Sequence, residues 1–288
     1  MAKWNILSTL GGLPPEVKDE FDEIDIDERD GLTREEFLEI VADYDGIIAA
    51  DIIYFDEQIF AQAPNLKIIS RFGIGVDNID IEDATKHGVK VTNVPGENAE
   101  SVAEHTIGLM IAASKNFVQA DRGIRTGNWN REDGRGFELA HKKLGQLGFG
   151  NIGKLVAMRC RTAFSMEPLV YDPYVPGFEV RNLTFGRVTG FEELIKESDV
   201  ITVNVPSTPE TEGMLGWDEF RQMKDTAIIV NTGRGEIIVE EDLIRALKED
   251  EIFAAGLDVF EEEPTPEDNP LLELDRTVLT PPSAAITP

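Results

Sequence analysis

The stretch Leu144-Gly-Gln-Leu-Gly-Phe-Gly-Asn-Ile-Gly153 decides the fold. A short apolar run over residues 144–147 leads into Gly148-x-Gly150-x-x-Gly153, and a helical pattern follows over Lys154–Ala163. Strand, glycine turn and helix in that order open a doubly wound α/β sheet. Gly148 permits the tight turn, Gly150 lets a diphosphate approach the backbone, and Gly153 lets helix and strand pack closely. The helix N-terminus, at Asn151 and Ile152, presents free N–H groups and a positive dipole end to the phosphates. Alone, such a glycine pattern is weak, because glycine-rich turns are common. The next strand strengthens it. Leu169-Val-Tyr-Asp172 ends on a carboxylate about twenty residues beyond Gly153, where it would accept from ribose hydroxyls and repel a 2′-phosphate. The stretch therefore predicts a dinucleotide site that favours NAD over NADP. A cluster of turn glycines beside a surface aspartate is the plainer alternative.

Outward from this motif, short apolar runs alternate with charged, helix-like stretches. Trp4–Leu7, Gly46–Ala49, Leu66–Ser70 and Val89–Thr92 read as strands. Glu16–Phe21, Thr33–Tyr44, Asp56–Ala63 and Ile81–His87 read as helices between them. Strands separated by helices imply parallel pairing, so the first half reads as a small flavodoxin-like domain. Val102–Ala113 is apolar almost all round, as a helix buried between domains would be. Gly123–Gly136 reads as loop. A second series follows, with strands at Leu144–Leu147, Pro168–Tyr171, Val200–Val205, Ala227–Asn231, Ala254–Asp258 and Thr277–Leu279.

The 288 residues suffice for one large domain or two ordinary ones. A content of 41% hydrophobic and 28% charged residues excludes a disordered chain, a collagen or a coiled coil. With 27 Lys and Arg against 55 Asp and Glu, the formal charge of −28 argues against nucleic acid or a membrane surface as partner. The acidity fits either a high-salt setting or an ordinary acidic cytosolic protein. The single cysteine, Cys160, forms no internal disulfide, and no ligand cluster suits a metal. Charge and prolines come too early in the N-terminus for a signal peptide, and no apolar run is long enough for a membrane span. A cytoplasmic location is expected.

The chain resembles the D-2-hydroxyacid dehydrogenase family, which includes D-3-phosphoglycerate dehydrogenases and glyoxylate/hydroxypyruvate reductases. The resemblance runs from about Asp45 to Pro281. It rests on Arg71-Phe-Gly-Ile-Gly-Val-Asp-Asn-Ile-Asp80, Asn93-Val-Pro-Gly-Glu-Asn-Ala-Glu-Ser-Val-Ala-Glu104 and the glycine loop. It continues through Val205-Pro-Ser-Thr-Pro-Glu-Thr211, Asn231-Thr-Gly-Arg-Gly235 and Gly256-Leu-Asp-Val-Phe-Glu-Glu-Glu-Pro264. It implies an NAD-dependent enzyme that interconverts a 2-keto acid and a D-2-hydroxy acid. It also implies two Rossmann-like or flavodoxin-like domains with parallel sheets, the active site in the cleft, and a homodimer through the cofactor domain. In such a fold the cofactor domain is inserted in the substrate domain. Residues 1–97 would form most of the substrate domain, 98–281 the cofactor domain, and 282–288 the start of a return segment whose remainder is missing.

The resemblance also implies site residues. Hydride transfer to a keto acid needs a cation at the carboxylate and carbonyl, a proton donor, and a nicotinamide held nearby. Arg234 would grip the carboxylate and polarise the carbonyl. Glu263, singled out of Glu261-Glu-Glu263 by its place before Pro264, would pair with a histidine and keep it protonated. Ile74 and Gly75 would bind the substrate carboxylate through backbone N–H groups. Asp258 would contact the nicotinamide carboxamide, Thr232 and Gly233 the nicotinamide ribose, and Pro206 and Thr211 the adenosine side. Asn204 stands where many relatives have a histidine. Glu97–Ser101 would lie near the nicotinamide, and Glu104 would be a structural hydrogen-bonder.

Two departures bear on chemistry. Relatives carry the general acid as histidine in Thr-Pro-His after the last strand, whereas here the order is Thr280-Pro281-Pro282-Ser283. Pro282 has no proton to give, and His87, His105 and His141 do not substitute easily. Ser283 relaying a proton from water is one alternative. Loss of a positioned acid costs on the order of 10²–10⁴-fold in rate. The chain is thus a weakened or inactive member or an altered form of an active one, and a non-catalytic NAD(H)-binding sensor is the alternative function. Second, the position of the phosphate-binding arginine in phosphoglycerate-type relatives falls at Ala50, followed by Asp51. This predicts a non-phosphorylated substrate, although Arg71 or Arg131 offers positive charge.

Overall fold

The computed structural model describes residues 4–15, 23–50 and 53–287. The chain divides into two compact units, Met1–Asn98 and Ala99–Pro288. Each is an α/β layer structure with one parallel sheet.

The first unit runs β1 (Trp4–Ser8), β2 (Ile24–Glu28), α1 (Arg34–Ile40), β3 (Gly46–Ala49), α2 (Glu57–Gln62), β4 (Ile68–Arg71), α3 (Ile81–Lys86) and β5 (Lys90–Thr92). Its sheet order is β2-β1-β3-β4-β5, the flavodoxin-like order. Each helix starts on a polar cap: Thr33 and Glu36 form a capping box on α1, and Asp56 and Asp80 accept from the third amide of α2 and α3. One core, built on Leu7, Phe37, Ile47, Phe55, Ile59 and Ile69, lies between sheet and helices. Strand β2 was not read from sequence. Its Ile-Asp-Ile-Asp-Glu alternation is that of a half-covered edge strand, and the acids disguise it. The expected helix at Glu16–Phe21 lies outside the described residues.

The second unit begins with α4 (Ala99–Ser114) and α5 (Phe117–Arg125). The larger sheet follows: β6 (Lys143–Leu147), α6 (Asn151–Phe164), β7 (Glu167–Tyr171), α7 (Gly177–Thr184), β8 (Arg187–Val188), α8 (Phe191–Glu197) and β9 (Val200–Val203). It ends with α9 (Trp217–Phe220), β10 (Ile228–Asn231), α10 (Glu240–Lys248), β11 (Ala254–Leu257) and β12 (Thr277–Leu279). The order β12-β11-β10-β9-β6-β7-β8 is doubly wound, and it reverses between β6 and β9. Ligands bind at such a switch point, outside the carboxyl ends of the strands. Strands β9, β10 and β11 are buried along their whole length, as a sheet covered on both faces requires. Two apolar clusters cover its faces.

Helix α4 packs on β10 and β11 within this unit. Its approach is close enough that a Cβ at Gly256 would sit 3.0 Å from the Leu109 Cβ. The loop expected over Gly123–Gly136 is a correction: α5 extends to Arg125, and Gly123 is buried inside it. Gly123 and the charges of Asp121, Arg122 and Arg125 masked an amphipathic helix there. Cys160 lies in the core, where burial pushes its thiol up to about 12 and leaves it unreactive. Among the described residues, no helix is long and apolar enough to cross a membrane.

Asp199, just before β9, ties the start of the sheet together. Burial pushes its carboxyl up, but the Lys143 amide at 2.8 Å and the Lys224 ammonium at 2.9 Å outweigh burial and hold it below its ordinary value. The stability this contributes is present above the unfolded carboxyl's pKa and is lost as pH falls through the lowered folded value. Asp199→Asn should therefore lose about 1–3 kcal/mol at neutral pH. It should also flatten the acid limb below about pH 4. Thermal melts across pH 3–7, on the order of one-unit steps, check both.

Candidate dinucleotide site

The glycine turn is built by close backbone approach. Gly148 sits at φ +84°, and a Cβ there would lie 2.5 Å from the Asn204 carbonyl oxygen. A Cβ at Gly153 would lie 2.2 Å from the Gly148 carbonyl oxygen. Gly150 differs, because nothing lies within 4 Å of a Cβ built on it. That open space is the cradle a diphosphate needs. Gly150 caps α6 with no side-chain bond to the helix amides, so the first N–H groups, at Asn151 and Ile152, have no side-chain cap. The turn fits a dinucleotide diphosphate.

Asp172, at the end of β7, is fixed by two backbone donors, Phe149 N–H at 2.8 Å and Tyr174 N–H at 2.9 Å. One bond goes to each oxygen, leaving further acceptor capacity on both for ribose hydroxyls. The carboxylate also locks the glycine turn to β7, a role its sequence position does not announce.

Beneath the turn runs a directional chain of hydrogen bonds. Thr202 donates to Gln146 (2.8 Å), Gln146 to Asn204 (2.9 Å), and Asn204 to Thr232 (3.1 Å). Thr232 and Thr106 share a bond of 2.8 Å, and Thr106 donates to the Val102 carbonyl at 2.7 Å. Asn204 and Thr232 therefore spend their side chains on joining β6 to the loops after β9 and β10. Gln146 was missed in the sequence, although an amide inside a buried parallel strand is itself a signal. In the loop after β9, the Thr211 hydroxyl donates to the Pro206 carbonyl at 2.7 Å.

The Asn231 side chain folds the loop after β10 by accepting from Gly233 N–H (3.0 Å) and donating to the Arg234 carbonyl (2.8 Å). Half-buried Arg234 donates from Nη1 to the Gly233 carbonyl at 2.8 Å. A Cβ at Gly235 would lie 1.8 Å from the Phe260 carbonyl oxygen, so this loop backs directly onto the loop after β11. Glu263 in that second loop is exposed and accepts from Phe260 N–H at 2.9 Å. Asp258 is buried and accepts from Thr280 Oγ1 (2.6 Å), Ser283 N–H (3.1 Å) and Ala284 N–H (3.0 Å). His105 Nε2 lies 3.1 Å from the same carboxylate. His105 thus belongs to this cluster, although its position in an apolar helix spoke only for packing. Pro282 is exposed, and the Ser283 hydroxyl turns toward Asp258 at 3.3 Å. Glu104, expected to bond within the fold, is exposed.

In the first unit, Ile74 and Gly75 form a half-buried turn after β4. The turn is pinned by Asn93, which donates to the Ile74 carbonyl at 2.7 Å. Among the described residues, nothing accepts from the amides of Ile74 and Gly75. Arg71 is buried at 5% exposure and donates to the Ala49 and Phe72 carbonyls beside the loop after β4. Ala50 accepts no charge either; its amide donates to Thr9, while Asp51 lies outside the described residues.

A doubly wound sheet with this turn, acid and loop order defines the second unit as a Rossmann domain for NAD. Residues 107–284 match the family model described as D-isomer specific 2-hydroxyacid dehydrogenase, NAD binding domain. The chain belongs to the D-isomer specific 2-hydroxyacid dehydrogenase family. It is 44% identical over 264 residues to a D-3-phosphoglycerate dehydrogenase of Archaeoglobus fulgidus, covering 92% of this chain and 50% of that relative. It is 40% identical over 257 residues to a glyoxylate reductase of Korarchaeum cryptofilum, covering 86% of this chain and 75% of the relative. Among solved structures, a glyoxylate reductase from Paecilomyes thermophila superposes with a TM-score of 0.90 at 30% identity, covering 100% of this chain and 90% of the other. The chain spans half the length of the first of these relatives.

Proposed function

We propose that the chain interconverts a 2-keto acid and a D-2-hydroxy acid with NAD, and that its substrate carries no phosphate. The observation that carries this reading is the row of loops at the carboxyl ends of one sheet: open glycine turn, Asp172, and the Arg234 loop backed by the Glu263 loop. When bound, the reduced nicotinamide supplies a hydride to C2 of the keto acid. Arg234 holds the substrate carboxylate and draws charge onto the carbonyl oxygen. The free amides of Ile74 and Gly75 suit an anionic group of the substrate. The carbonyl oxygen then needs one proton, and Pro282 supplies none. Arg71 spends its guanidinium on backbone carbonyls and Ala50 offers no charge, which argues against a phosphate subsite there.

Pro282 also favours a second reading, an NAD(H)-binding sensor without turnover. One experiment separates them. NADH binding is titrated by fluorescence, and absorbance at the nicotinamide band is followed with glyoxylate, hydroxypyruvate and its phosphate ester. Turnover that favours the unphosphorylated acids supports the proposal. Binding without turnover, in both the parent and Pro282→His, supports the sensor. Absence of NADH binding refutes both.

Asp172 sets cofactor choice in this reading. Because it also holds Phe149 N–H, Asp172→Asn is the cleaner probe than alanine, since it removes charge and keeps an acceptor. The variant should lose at least about tenfold of the NAD-over-NADP preference, worth about 1.4 kcal/mol. Dissociation constants for the two reduced cofactors measure it, and an unchanged ratio refutes the role.

We also propose a homodimer through the second unit. Around α5, Phe117, Val118, Ile124 and Trp129 are all exposed, Trp129 at 81%. A patch of that kind marks an interaction surface. Sedimentation gives the state, and Trp129→Glu should yield monomer.

A further inference from the structure

We infer that Ser101 and His105, one turn apart on α4, act with Asp258 as a clamp that fixes the backbone of residues 280–284 and thereby positions residue 282. The inference rests on the dehydrogenase reading above, because the placing of residue 282 bears on the reaction only where a proton donor stands there, as Pro282→His supplies. Residues at i and i+4 share a helix face, so both side chains reach the same segment. Ser101 Oγ donates to the Ala284 carbonyl. His105 Nε2 lies 3.0 Å from Thr280 Oγ1 and 3.1 Å from Asp258 Oδ1.

The proton placement follows from counting. Thr280 has one hydroxyl proton, and Asp258 Oδ1 at 2.6 Å is its charged acceptor. Thr280 Oγ1 is then an acceptor toward His105, and the carboxylate is an acceptor as well. His105 Nε2 therefore carries hydrogen and donates to both. Asp258 in turn accepts from the amides of Ser283 and Ala284. With its side chain only 5% exposed, the carboxylate depends on these donors. The segment is held at Thr280, Ser283 and Ala284, and exposed Pro282 lies between the anchored residues. A side chain there projects from a backbone that cannot drift, the condition for a positioned proton donor.

The test uses the full chain and two substitutions at one position. His105→Leu removes the donor, and His105→Gln restores an N–H at similar reach. In the parent and in His105→Gln, the amides of Ser283 and Ala284 should be protected from hydrogen exchange. In His105→Leu they should exchange at least about tenfold faster, with amides of β6 and β9 unchanged. In a Pro282→His background, His105→Leu should lower kcat at least about tenfold while the KM for NADH moves by less than about threefold, and His105→Gln should recover kcat. Equal exchange in all three proteins overturns the clamp. So does a kcat that responds alike to Leu and Gln. A parent that fails to bind NADH overturns the dehydrogenase reading instead, and the exchange data then judge the clamp alone.

Discussion

Gly150→Ala is expected to leave the melting temperature near that of the parent and to weaken NADH binding at least about tenfold, whereas Gly153→Ala should weaken it about 100-fold, or roughly 2.7 kcal/mol. The difference comes from what each new methyl meets. At Gly150 a Cβ enters empty space in an extended backbone that any residue adopts, so the fold accepts it and only the diphosphate is excluded. At Gly153 it would lie 2.2 Å from a backbone carbonyl oxygen and 3.0 Å from Gln146 Nε2. Helix α6 must then withdraw from β6, taking the Asn151 and Ile152 amides away from the phosphates. It must also disturb the Gln146–Asn204–Thr232 chain, so the loop after β10 moves as well. Fluorescence titration paired with thermal melts reads both effects. Full NADH affinity in Gly150→Ala would refute the cradle.

The inner strands of the second unit were legible because a sheet covered on both faces writes itself as unbroken apolar runs, such as Val200–Val203 and Ile228–Asn231, whereas the two exposed residues of edge strand β8 left no such run. The glycine turn was legible for a related reason. Backbone approach this close leaves no residue but glycine at 148 and 153. Strand β2 was hidden because at a sheet edge half of its side chains face water and are acidic. The end of helix α5 was hidden by Gly123, which a half-exposed helix tolerates at a cost of about 1 kcal/mol. At the proposed site, candidate residues that share one local motif could be picked out in sequence. Residues that act through others could not. His105 and Asp258 are about 150 residues apart in the chain, and only pairing of the sheet with the helix on its face makes them neighbours. The bonds of Arg71 were hidden for a similar reason: its guanidinium donates to the Ala49 and Phe72 carbonyls, and the first of these is brought to it only by the pairing of β3 with β4.

Pro282→His is expected to raise turnover of a 2-keto acid by about 10²–10⁴-fold, with little change in NADH affinity. In the proposed reaction the other requirements have candidates: the Arg234 guanidinium for the carboxylate, and a cofactor turn with room in it. The missing component is a proton at the carbonyl oxygen, and hydride transfer without it leaves an alkoxide. Substituting histidine adds a group that titrates near pH 6.5 in isolation and higher beside a carboxylate. Because reduction needs the protonated imidazole, kcat/KM in that direction should fall as pH rises through this value; oxidation, which needs the neutral ring, should rise. In the proposed reading Glu263 would be the carboxylate for that pairing. One of its oxygens accepts from Phe260 N–H, and the other keeps acceptor capacity for an imidazole. Adding Glu263→Gln to Pro282→His should therefore move the alkaline limb of the reduction profile to lower pH. It should not abolish turnover at pH values below the limb. A limb that stays in place would show that Glu263 serves only its own loop. Absence of turnover in both the parent and Pro282→His, with NADH still bound, would mean that the chain moves no hydride and that its nicotinamide site serves binding alone.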